Sequence, residues 1–111
     1  GTAQVWEQNG IKFTNEKNSS TNAVADYANP VRLYQNSRII VEAPGEITAI
    51  VFDCNSSSYA TALKNSIGST ATVSVSSDKV TVTLDGSSNK FTVEKLSAQV
   101  RMDAVTVTYL E

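Results

Sequence analysis

Thr70-Ala-Thr-Val-Ser-Val-Ser76, Lys79-Val-Thr-Val-Thr-Leu84 and Ala104-Val-Thr-Val-Thr-Tyr109 alternate apolar with small polar residues almost without a break. A period of two sends successive side chains to opposite faces, the pattern of a strand buried on one side only. Ser77-Asp78 joins the first two stretches as a hairpin. After the loop Asp85-Gly-Ser-Ser-Asn89, Lys90 to Val93 forms a further strand, and Gln99 to Tyr109 a long final one. Inward parity in that last strand changes between Met102 and Val105, which predicts a bulge near Asp103 or Ala104.

Towards the N-terminus, Ala3–Gln8, Asn9-Gly10 and Ile11–Thr14 spell a hairpin, since Asn-Gly accepts the two positive φ values of a type I′ turn. Residues 15–29 are polar and are read as one long loop. Pro30 holds its predecessor extended, Val31–Tyr34 and Arg38–Glu42 alternate, and Ile47–Asp53 is apolar on both faces, as a central strand is. Ser56-Ser-Ser58 before Tyr59, Leu63 and Ile67 at intervals of four, with Gly68 as a stop, predicts one short helix. Eight or nine strands with one helix in 111 residues describe an all-β, antiparallel β-sandwich (jelly-roll-like) occupying 1–111 as a single module.

Composition narrows function as well as fold. The chain has no His and a single Cys54, so neither a Ser-His-Asp nor a Cys-His arrangement, nor a His-ligated metal, is available. Asp26, Glu42, Asp53, Asp85, Glu94 and Asp103 are the carboxylates a glycosidase mechanism would draw on, but no pair sits in a recognisable setting. The expectation is a module that binds and does not catalyse, with Cys54 an inert, buried thiol. A formal net charge of −2 gives no field for nucleic acid or anionic lipid, and no apolar run approaches the ~18 residues of a membrane span. A monomer is expected. The Ser-, Thr- and Asn-rich surface, with Asn18-Ser-Ser20 and Asn55-Ser-Ser57 as glycosylation-type triplets, suits a secreted, extracellular setting. Gly1 and Leu110-Glu111 read as junction residues without a structural role, the rest as a piece of a larger multidomain protein.

Candidate ligand contacts follow from parity. Lys12, Arg32, Arg38 and Arg101 all fall opposite apolar neighbours on strands, so the four are expected to share an outer sheet face able to hold carboxylates by charge-assisted hydrogen bonds. Trp6, Tyr27 and Tyr34 are the candidate sugar platforms, because a pyranose presents its C–H face to an aromatic ring. A single Trp cannot make the flat row that crystalline cellulose would need. No cofactor is required; a structural calcium ion is conceivable on Asp26, Asn29, Asp53 and Asp103, although no calcium-loop spacing occurs.

Pro30-Val-Arg-Leu-Tyr-Gln-Asn-Ser37, Ile47-Thr-Ala-Ile-Val-Phe52, Ser58-Tyr-Ala-Thr-Ala-Leu63 and Ala98-Gln-Val-Arg-Met-Asp-Ala-Val-Thr-Val-Thr-Tyr109 together resemble non-catalytic carbohydrate-binding modules of secreted plant cell-wall-degrading enzymes in gut and rumen Firmicutes. The resemblance implies a β-sandwich, covalent attachment to a lyase or hydrolase, and a plant polysaccharide as ligand. The outer-face cations and the shortage of Trp select pectin (homogalacturonan) over neutral β-glucans within that class. A structural or adhesive module of a bacterial surface protein is the alternative.

Overall fold

The computed structural model describes residues 1–24 and 30–111. Two antiparallel sheets face each other across one core. In chain order the strands are β1 (Ala3–Gln8), β2 (Ile11–Glu16), β3 (Val31–Leu33), β4 (Arg38–Glu42), β5 (Ile47–Cys54), β6 (Thr72–Ser76), β7 (Lys79–Thr83), β8 (Lys90–Val93) and β9 (Val100–Tyr109), with α1 (Ser57–Ile67) between β5 and β6. One sheet has the order β1-β2-β4-β8, the other β3-β9-β5-β7-β6. The all-β sandwich with one short helix is therefore the fold of this chain.

Period-two patterning explains which residues meet. Ile50 and Phe52 of β5 register with Val82 and Val80 of β7 on one side and with Val107 and Val105 of β9 on the other. Ile50, Phe52, Val80 and Val82 have no exposed surface at all. Across the core, Ile39 and Val41 of β4 are likewise fully buried, and α1 adds Ala60, Leu63 and Ile67 to the same cluster while packing along β5, β6, β7 and β9. Burying one such aliphatic or aromatic side chain contributes about 1.5–3 kcal/mol, and the central strand supplies two.

The local signals behave as their chemistry dictates. Asn9 and Gly10 take φ of 55° and 82° and close the β1–β2 hairpin with Gln8 opposite Ile11. Ser56 caps α1 by accepting from the Tyr59 N–H at 3.4 Å, and Gly68 ends it at φ 61°, its N–H donating to the Lys64 carbonyl. The bulge lies where parity changes: Asp53 opposes Ala104 and Cys54 opposes Met102, leaving Asp103 as the extra residue. β5 is central in its sheet, as its two apolar faces require.

Two expectations are corrected. β2 does not stop at Thr14: Asn15 and Glu16 pair with Gln4 and Ala3 on one side and with Ile39 and Arg38 on the other, because ladder bonds to two neighbouring strands outweigh the poor strand propensity of Asn. Nor are the chain's end residues idle. The Gly1 ammonium donates to the Val24 carbonyl at 2.9 Å, the Leu110 N–H donates to the Glu46 carbonyl at 2.9 Å, and a side chain at Gly45 would collide with the Leu110 carbonyl.

Asn15 is the weak point of this core. It is 1% exposed, on the inward row with Ile39, and neither its Oδ1 nor its Nδ2 has a hydrogen-bond partner among the described residues. An unsatisfied buried amide costs about 1–3 kcal/mol. Asn15→Leu, similar in volume and free of polar atoms, is expected to raise the urea midpoint, and a lower midpoint would show that the amide is satisfied in solution.

Candidate functional site

The register separates the four cations expected on one face. Lys12 and Arg38 lie on β2 and β4, in the four-stranded sheet, whereas Arg32 and Arg101 lie on β3 and β9, in the five-stranded sheet. Parity is a property of each strand alone, and it cannot tell which sheet a strand joins. That is why the shared face does not exist.

On the four-stranded sheet the cations are matched by carboxylates. Arg38 sits opposite Glu16, with Nη1 3.1 Å from Glu16 Oε1 and Nε 3.1 Å from Glu94 Oε2. The hydrogen bond to Glu16 does most to raise its pKa, and the charge and hydrogen bond of Glu94 raise it further. Lys12 sits opposite Glu42, 4.0 Å away, and on its other side opposite Glu7. Arg38 already holds two acids of its own chain, whereas the Lys12–Glu42 contact is long and solvent-exposed.

On the five-stranded sheet two arginines stand directly opposite each other. Arg32 pairs with Arg101, between the inward pairs Val31–Met102 and Leu33–Val100, so both guanidinium groups leave by the outer face. Like charges at a cross-strand pair oppose stability. The Arg101 guanidinium lies 5.9 Å from the centroid of the Tyr59 ring, within cation–π range, and its Nε is buried with no hydrogen-bond partner among the described residues. No ion pair among the described residues involves Arg101. Tyr34, half-buried, follows β3 two residues after Arg32. Tyr59 was legible as a helix position and as one of the chain's aromatic residues; its contact with Arg101 joins residues 42 apart in sequence, for which no local signal exists.

Trp6 has a different surrounding. It registers with Phe13, and the two rings meet edge to face at 5.5 Å and 62°. It is half-buried and lines an open cleft of about 600 Å³ between the two sheets, which also reaches Val31 and Met102, the register pair next to Arg32–Arg101. Tyr27, Asp26 and Asn29 lie outside the described residues. Among the described residues no group of three or more His, Cys, Asp or Glu could hold a metal ion, and Asp53 is engaged by Lys79 at 2.8 Å. The hydrogen bond to Asp53, then the charge of Asp53 and that of Asp78, raise the Lys79 pKa. Family models, curated proteins and solved structures yield no match to this chain.

Cys54 is 1% exposed, and its thiol is pushed up to about 12, first by burial and then by the negative charges of Asp78, Asp53 and Asp103. The unfolded thiol ionises near pH ~8.5. From there to about pH 12 the unfolded state binds fewer protons than the folded one, so stability falls as pH rises through that window. Urea unfolding across that range is expected to show this decline, smaller in Cys54→Ala than in the parent. A folded thiol that reacts with a disulfide reagent as fast as the unfolded chain would contradict the assignment.

Proposed function

We propose that this protein is a non-catalytic carbohydrate-binding module that targets an attached enzyme to plant cell-wall polysaccharide, with homogalacturonan favoured over neutral β-glucans. The observation that carries the reading is the Arg32–Arg101 pair, two cations side by side on an outer sheet face with an aromatic ring beside Arg101. A carboxylate accepts charge-assisted hydrogen bonds from guanidinium groups placed in this way. Uronate residues repeat that carboxylate along a polymer, whereas neutral glucans offer none. Two rigid strands hold the arginines in place, so little order has to be imposed on binding. The absence of His from the sequence leaves the face suited to recognition and not to proton transfer.

Affinity gel electrophoresis with low-ester homogalacturonan, xylan, mannan and β-glucan tests the reading. Retardation is expected in homogalacturonan, weakening as salt screens the contact. Arg101→Ala and Arg32→Ala are expected to remove it while the chain stays folded by circular dichroism, both side chains being half-buried at the outer face. Arg38→Ala should retain it, because Glu16 and Glu94 already occupy that guanidinium. Retardation by none of the polysaccharides would leave the structural or adhesive module in its place.

A further inference from the structure

The inter-sheet cleft is a second feature, on the inner side of the strands whose outer side carries the arginine pair. Trp6, Phe13 and Val41 wall it from the four-stranded sheet, and Met102, Val105 and Val107 from the five-stranded one. These are inward-row residues by register, so the cleft is a stretch of the core left open between the sheets. Its volume of about 600 Å³ lies within the usual range for small-molecule sites, about 300–1,000 Å³. The Trp6–Phe13 edge-to-face contact gives an incoming ring aromatic partners of known preference.

Charge at the mouth selects the ligand. Glu7 and Asp103 are the charged residues among the described ones that line the cleft, and both are negative. Glu7 registers with Lys12 on the outer face. Asp103 differs: it is the residue extruded by the β9 bulge, it is exposed, and no ion pair among the described residues engages it. Bulges commonly re-aim a side chain beside a binding site. We propose that the cleft binds a small aromatic amine, its ring between Trp6 and Val105 and its ammonium on the Asp103 carboxylate.

Tryptamine, tryptophol and indole-3-acetate carry one ring with a positive, neutral and negative arm, and so separate ring from charge. The Trp6 indole N–H and the Met102 methyl group are each unique in the chain, and both line the cleft, so two NMR signals report occupancy. Tryptamine is expected to shift both and to bind about three- to fivefold tighter than tryptophol at low ionic strength, the size of an exposed ion pair, with indole-3-acetate weakest. Asp103→Asn should bring tryptamine down to tryptophol and leave tryptophol unchanged. The proposal fails if neither signal moves, if Trp6 moves without Met102, or if the acetate binds as tightly as the amine. Any of these results leaves the polysaccharide reading untouched, since Arg32 and Arg101 take no part.

Discussion

The inward side chains of β5 hold the molecule together. Ile50 and Phe52 lie fully buried between the valines of β7 and those of β9, and every other inward row is built out from that contact. Because the side-chain period is two, fixing these residues also fixes what faces outward. The Asp103 bulge is the necessary adjustment. Met102 and Val100 face the core on one side of it, and Val105 and Val107 on the other. Without the extra residue, one half of β9 would turn over, and Arg101 would enter the core while Met102 left it.

The bulge thus links packing to both candidate sites. By preserving inward parity in the first half of β9, it places Arg101 on the outer face opposite Arg32. By extruding Asp103, it sets a carboxylate at the mouth of the cleft between the sheets. Electrostatics then distinguishes the two sheets. The four-stranded sheet alternates acids and bases across its strands, as in Glu7, Lys12, Glu42 and Lys90, and Arg38 holds two carboxylates of its own chain. The five-stranded sheet pairs Lys79 with Asp53 and also sets Arg32 directly opposite Arg101.

Much of the fold was legible in the sequence, because its signals are local. The Val-Thr alternation, Asn9-Gly10, the Ser56 cap, the Gly68 stop and the parity change before Val105 each act within a few residues, and each appears where the chain places it. The end of β2 was less legible: Asn15 and Glu16 are poor strand formers held by neighbours on both sides, one of them 24 residues along the chain. The candidate site was legible only as residue types. Arg32, Arg38, Arg101 and Lys12 share a parity, and nothing in their spacing separates the two that join the four-stranded sheet from the two that join the five-stranded one.

By itself, then, the sequence determined the strands, the helix, the bulge and the exclusion of histidine chemistry, since alternation, turn geometry and composition need no partner. Tertiary structure alone decided that Arg38 is held by Glu16 and Glu94, that Arg101 stands beside Arg32 and Tyr59, and that Trp6 borders an open cleft. The reason is physical. A strand's own residues set which side chains share a face, but the sheet that the strand joins is chosen by burial of its inward row against distant strands, and only that choice brings charges together or keeps them apart.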